Sequence, residues 1–286
     1  MIVSHIFGGL GNQLFQFAFG RALAARLGVE FRFDYRSHRI PELSHFCLHH
    51  FSIDAQQAER RGLPAIRHDG LLPYLRDRLR GSRFTLYEEK GIGFDPETLS
   101  LGDNTYLKGY WQSERYFRDQ ADLVRRHLQV VTPPGPETRR VMSEQDACLP
   151  VSLHVRRGDY VSNAKFNATY GTCSPEYYRA AALHLAEKSA REPVFFAFSD
   201  EPGWVRENLD LPFEIRVVGH NAPEAAYDDI RLMSRCRHHI VANSSFSWWG
   251  AWLNPDPGKI VVAPKRWFAD ARMQDHDLIP PEWVTL

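Results

Sequence analysis

Between residues 153 and 161 the chain reads LHVRRGDYV, which sets His154, Arg156, Arg157 and Asp159 close together behind an apolar run. Arginine supplies only N–H donors, and its planar fork matches a phosphate bidentately. Capping a helix requires an acceptor, so capping does not account for either guanidinium. On an extended chain adjacent side chains project to opposite faces. One arginine is therefore expected to face a ligand and the other to form a structural pair. The pattern is that of a site for an anion. Divided differently, Arg157-Gly158-Asp159 spells an adhesion tripeptide. That reading needs an exposed loop in a secreted protein, whereas here the tripeptide follows an apolar strand pattern.

Other polar groups end apolar runs further along: Ser199, Asp200 and Glu201; Gly219, His220 and Asn221; Asn243, Ser244 and Ser245. Ser199, Asp200 and Asn221 could equally cap helices. The stretch ANSSFSWWGAWL places small residues at a helix start, where backbone N–H groups favour a phosphate, and most of Trp248, Trp249 and Trp252 read as core. Near the beginning, Gly8, Gly9 and Gly11 let backbone approach a ligand closely, and Asn12 is expected to open a helix. Gly9-x-Gly11-x-x-Leu14, with Asp34 closing the next strand, is an incomplete dinucleotide fingerprint that lacks its third glycine. It leaves a dinucleotide-dependent oxidoreductase as a competing reading.

HFCLHH, from His45 to His50, has metal-ligand residue types, but nothing completes a tetrahedral set. Asp275-His276-Asp277 resembles a metal-diphosphate pair, yet it follows no apolar strand and reads as a solvated loop. The sequence contains no Walker loop, nucleophile elbow or His-Glu-x-x-His. No metal site is expected, and a bound diphosphate would be neutralised by arginine and helix N-termini.

The elements that must position these groups are legible in the patterning. MIVSHIF, a glycine turn, the helical QLFQFAFGRALAARLG and the alternating VEFRFDY form a βαβ opening. From Arg36 to about Gly93 the pattern is irregular. Tyr106 to Phe117 is expected to run from strand into a helix that continues through DLVRRHLQ. VTPPGPE then marks a boundary, giving domains 1–135 and 136–286. Beyond it, strands LPVSLHV, PVFFAFS, FEIRVVG, HHIVAN and GKIVVAP alternate with helices, the first after a polar loop and capped by Ser174 with Pro175 at its first position. This is an α/β chain with a doubly wound parallel sheet, whose ligands bind beyond the carboxyl ends of the strands. A second unit of the same kind at the start predicts a ligand cleft between the two.

Bulk properties bound the function. The chain has 286 residues, equal numbers of Lys+Arg and Asp+Glu at 35 each, and no basic excess of the kind a general nucleic-acid binder shows. Four scattered cysteines read as free thiols, and no apolar run is long enough to span a membrane. With no secretion signal evident, a cytoplasmic protein is expected, and the two glycosylation sequons read as chance.

IFGGLGNQLFQFAFGRALA, YLKGYWQSERYF, SLHVRRGDYV, FFAFSDEPGWV and VANSSFSWWGAWLN together resemble the bacterial α-1,2-fucosyltransferases, in family order from residue 6 to residue 254. About 36–102 has no clear counterpart. The resemblance implies a GT-B-type fold, with two Rossmann-like doubly wound domains facing a central cleft. The first domain would serve the acceptor and the second would bind the GDP-sugar. It implies inverting, metal-independent transfer of L-fucose from GDP-β-L-fucose to the 2-hydroxyl of a terminal galactose. Another linkage or another GDP-sugar donor is the alternative. By position, Arg156 would hold the β-phosphate, His154 and Asp229 would lie near guanine, and Asp200, Asn243, Ser244 and Ser245 would line the donor site. Gly11 and Asn12 would approach it from the first domain. Asp159 is either the general base or a partner that steadies an arginine, with His154 a further candidate in catalysis. A galactose-terminated oligosaccharide used in surface polysaccharide synthesis, lipid-linked at the inner membrane face, would bring the chain to the bilayer peripherally.

Overall fold

A computed structural model describes residues 1–36, 46–65, 71–273 and 277–286. The chain divides into two compact units, Met1–Val131 and Thr132–Leu286, so the division expected at 135/136 moves to 131/132. The reason is local: Arg231 donates to the Thr132 carbonyl and Arg139 to that of Pro134, tying the proline segment to the second unit.

The first unit opens as expected with β1 (Ile2–His5), α1 (Leu10–Leu27) and β2 (Phe31–Asp34). Gly28, at φ 64°, closes α1 in the left-handed conformation, its N–H reaching the Ala24 and Ala25 carbonyls. Helix and sheet meet closely at Gly20, where a Cβ would lie 2.1 Å from Ser4 Oγ and 2.5 Å from Phe31. The supposedly irregular region holds β3 (Gln56–Gln57), α2 (Leu71–Arg80) and β4 (Thr85–Glu88). Two residues are too few to show alternation, and β4 is an edge strand with mostly exposed side chains, so neither carries a hydrophobic signal. After β5 (Thr105–Lys108) the expected helix is broken into two 3₁₀ turns before α3 (Ala121–His127). The Glu89 carboxylate accepts from the Tyr110 and Trp111 amides at 2.7 and 2.9 Å, and Ser113 caps the first turn. The sheet is parallel in the order β3-β2-β1-β5-β4.

In the second unit, α4 (Pro136–Asp146) precedes β6 (Leu149–Val155). Two helices, α5 (Gly158–Ser162) and α6 (Ala164–Tyr170), occupy what read as a polar loop. Both lack buried residues, hence the missing apolar period; Asn163 caps α6 by accepting from the Lys165 and Phe166 amides. There follow α7 (Pro175–Lys188), β7 (Pro193–Ser199), α8 (Pro202–Asn208), β8 (Ile215–Val218), α9 (Ala226–Arg235), β9 (His238–Ile240), α10 (Ser245–Trp252) and β10 (Val261–Ala263). A sixth strand, β11 (Val284–Thr285), extends the edge. All pairings are parallel in the order β11-β10-β9-β6-β7-β8, the doubly wound order, which reverses between β6 and β9. Val151, Leu153, Phe195, Ala197 and Ile240 from the strands pack with Tyr178, Ala181 and Leu185 of α7 in a dry core. That core fixes the strand ends from which the polar groups emerge.

Candidate active site

The carboxyl ends of β6 and β7 carry one connected ionic network. Arg156 reaches Asp159 through Nη2 and Asp200 Oδ2 through Nη1, the latter at 2.9 Å. Asp200 Oδ1 accepts from the Arg157 amide at 2.9 Å, so one carboxylate ties both arginines. Arg157 turns away as the structural partner: its Nε meets Glu201 Oε2 at 2.9 Å and its guanidinium lies 4.1 Å from the Trp204 ring centroid. Arg156 sits 5.2 Å from the Tyr160 ring centroid and remains partly exposed, with N–H donors left over. Burial raises the Asp200 carboxyl above its usual range, against the opposing pull of Arg156 and the Arg157 amide. Gly158, at φ 21°, passes so close to Asp200 that a Cβ there would lie 2.6 Å from Oδ2.

His154 ends β6 on the inner side. It is 4% exposed and its Nδ1 has no hydrogen-bond partner. Burial, with help from Arg156, pushes the imidazole down to about 3, so it is neutral at pH 7. Its ring lies 5.5 Å from Phe246 in the first turn of α10, linking the ends of β6 and β9 across the switch point.

The remaining expected residues differ in what they can offer. Asn243 is saturated by the protein: Nδ2 donates to the Tyr170, Gly171 and Trp267 carbonyls and Oδ1 accepts from Cys173. Its side chain ties the α6 end to the β9 end, while its carbonyl accepts from Tyr160. Ser244 caps α10, accepting from the Phe246 amide at 3.3 Å, with Ser245 the first helical residue. Ser199 accepts from the Glu201 amide at 2.9 Å in the turn ahead of α8, whose N-cap is Glu201 and which has no side-chain cap, so neither Ser199 nor Asp200 caps that helix. Asn221 donates to Asp229 Oδ1 at 2.6 Å, and burial raises the Asp229 carboxyl to about 7, with Asp228 adding to the rise. Asp228 itself pairs with Arg231 at 3.1 Å.

In the first unit, Gly8 adopts φ 78°, Gly11 is buried in the first turn of α1, and Asn12 Oδ1 accepts from Gln112. The helix starts at Leu10, two residues before Asn12. Asp34 is fully enclosed, bound by Arg36 at 2.8 Å and by the Tyr106 hydroxyl at 2.7 Å. A carboxylate held this way is closed to a ribose, which removes the main support for the oxidoreductase reading. Of the metal-like stretches, His45, Asp275 and His276 lie outside the described residues. Among those described, no three His, Cys, Asp or Glu side chains are grouped to hold a metal.

Arg156, Asp159 and Asp200 are thus brought together, with His154, Ser244 and Ser245 at the neighbouring strand ends. Tyr160 and Trp204, the aromatic supports of the two arginines, were not anticipated. Tyr160 stands inside LHVRRGDYV itself, and an aromatic near paired arginines was the available signal.

Two Rossmann-like units in one chain, the second with an arginine–carboxylate network at its switch point, give the GT-B-type architecture. A mutant of Arabidopsis thaliana FUT1 in complex with GDP shares this fold, at a TM-score of 0.55, with 13% identity, over 98% of this chain and 75% of that one. The model of glycosyl transferase family 11 matches residues 88–286, and the chain belongs to that family. It is similar to an α-1,2-colitosyltransferase of Escherichia coli, 32% identical over 100% of this chain and 99% of the relative. It is also similar to the O-antigen biosynthesis glycosyltransferase WbnK of Escherichia coli, 29% identical over 98% of each. The galactoside α-(1,2)-fucosyltransferase 2 of Sus scrofa matches only in part, 31% identical over 36% of this chain and 30% of the relative. The protein is accordingly a glycosyltransferase of the α-1,2-fucosyl or a related type.

Proposed function

We propose that this enzyme transfers L-fucose from GDP-β-L-fucose to the 2-hydroxyl of a terminal galactose, with inversion and without a metal. The observation that carries the reading is Arg156, held at the switch point by Asp159 and Asp200 with donors to spare. In the reaction the acceptor oxygen bonds to the anomeric carbon as the bond to the diphosphate breaks, the electron pair leaves with GDP, and the acceptor hydroxyl's proton is released to solvent. Arg156 and the N-terminal amides of α10 would neutralise that developing charge; one preorganised donor of this kind is worth about 3 kcal/mol. His154, neutral and with an unpartnered Nδ1, is suited to hydrogen bonding with the donor rather than to taking the acceptor's proton. Asp229 would receive the guanine edge. The Arg156 contact favours Asp159 as a positioning residue over a dedicated base. Similarity to an O-antigen biosynthesis glycosyltransferase supports O-antigen synthesis, with an oligosaccharide acceptor, as the setting; the inner membrane face would be where such an acceptor is met.

The second reading is a GDP-colitose donor, favoured by the full-length similarity to a colitosyltransferase. Colitose is fucose without its 3-hydroxyl, so the same diphosphate site would serve either. Both donors should be offered with a panel of β-galactosides and the product linkage read by NMR. Fucose transfer in an α-1,2 linkage is the expected result. Exclusive use of GDP-colitose, or another linkage, would overturn it. Activity that a chelator abolishes and Mg²⁺ restores would overturn the metal-free step.

A further inference from the structure

Helix α2, with the sequence LLPYLRDRLR, exposes apolar side chains where a soluble helix would bury them. Leu71 is 72% exposed, Leu72 80%, Leu75 44% and Leu79 88%. At 100° per residue these four positions fall within one stripe about 100° wide, the width of a face that packs against something apolar. Arg78 and Arg80 lie in the last turn of α2. Beside its end, Arg60, Arg61, Arg80 and Arg83 line an open groove of about 810 Å³ with Gly62, Leu63, Gly81 and Ser82, none of them acidic among the described residues. The arrangement is built into the fold. The Arg83 amide and Ser82 Oγ both donate to the Gly62 carbonyl at 3.1 Å, and Leu63 and Phe84 anchor the two strands of the groove in a core with Val3 and Tyr106.

We propose that α2 and this arginine groove form a docking surface for a bilayer carrying anionic headgroups. The leucine stripe would enter the boundary between headgroups and acyl chains, and Arg60, Arg61, Arg80 and Arg83 would meet the acidic lipids. Exposed leucines bordered by arginines are complementary to that surface in both respects, since apolar burial and headgroup attraction add. The inference concerns where the enzyme sits rather than what it transfers, so it stands or falls independently of the donor and acceptor.

The test is co-sedimentation of the full chain with vesicles of phosphatidylethanolamine containing phosphatidylglycerol, against vesicles of phosphatidylcholine alone. Binding only to the anionic vesicles is expected, and it should weaken at high salt. Each arginine near such a surface is worth roughly fivefold in partitioning, so Arg80→Glu with Arg83→Glu should reduce binding by more than tenfold. Leu72→Glu with Leu79→Glu should do the same. Because all four positions are on the surface, transfer to a soluble acceptor should be unchanged in both variants, which controls for folding. Equal binding to both vesicle types, undiminished binding by the variants, or dissociation of a dimer by the leucine substitutions on size exclusion would each overturn the proposal.

Discussion

Arg156 carries two carboxylate partners yet faces the rim, so its removal should be felt in catalysis and not in folding. Arg156→Ala is expected to lower kcat/KM about 100- to 1,000-fold, with unchanged circular dichroism. Arg156→Lys should recover only part of this, because an ammonium lacks the planar fork. Asp159→Asn should weaken GDP binding, read by calorimetry, together with turnover; intact GDP binding with lost turnover would instead make Asp159 the base. Two buried groups set opposite pH dependences. Asp229 is raised to about 7, so between about 4 and 7 the folded protein keeps a proton the unfolded chain has released, and stability falls as pH rises. His154 is lowered to about 3, so its contribution is full above about 6.5 and is lost as pH falls toward 3. Urea midpoints measured from pH 4 to 8 should lose the first slope in Asp229→Asn and the second in His154→Phe.

At the scale of elements, the turn from β6 into α5 is the sensitive point. Gly158→Ala would set a Cβ 2.6 Å from Asp200 Oδ2 and displace the carboxylate that ties both arginines. We expect a loss of activity approaching that of Arg156→Ala, with a smaller fall in thermal midpoint. Away from the site, Ser174→Ala removes the cap of α7 and should cost about 1 kcal/mol of stability, with kcat untouched. The elements read correctly from sequence share one property: each buries a face, so its apolar period is strong. β6, β7 and α7 are of this kind, and LPVSLHV and PVFFAFS match their strands residue for residue. α5, α6, β4 and β11 bury little and left no period to read. The interrupted helix after β5 is a different case: Phe117, at φ −144°, breaks the run between the two 3₁₀ turns, and the Glu89 carboxylate holds the chain just upstream at Tyr110 and Trp111.

For the molecule as a whole, a ligand that binds only the folded state stabilises it by mass action. GDP at 100 times its dissociation constant should add about 2.7 kcal/mol, visible as a raised thermal midpoint that Arg156→Ala largely abolishes. Among the described residues no helix is long and apolar enough to cross a membrane, and the exposed leucines of α2 supply the apolar surface that the linear sequence did not single out. Composition, period and the LHVRRGDYV stretch were enough for the α/β class, the doubly wound second unit and Arg156 at a strand end, because burial patterns and strand-end rules are local. Which acid pairs with which arginine could not be read that way. Asp200 lies more than forty residues from Arg157, and only the parallel pairing of β6 with β7 sets their ends side by side. The same pairing left Arg156 at the rim; in the first unit the order β2-β1-β5 brings Tyr106 to Asp34, which Arg36 also holds, and in the second Asn243 is consumed as a tie between the ends of α6 and β9. Contact between residues distant in sequence is a property of sheet order and packing, and that order emerged only with the tertiary fold.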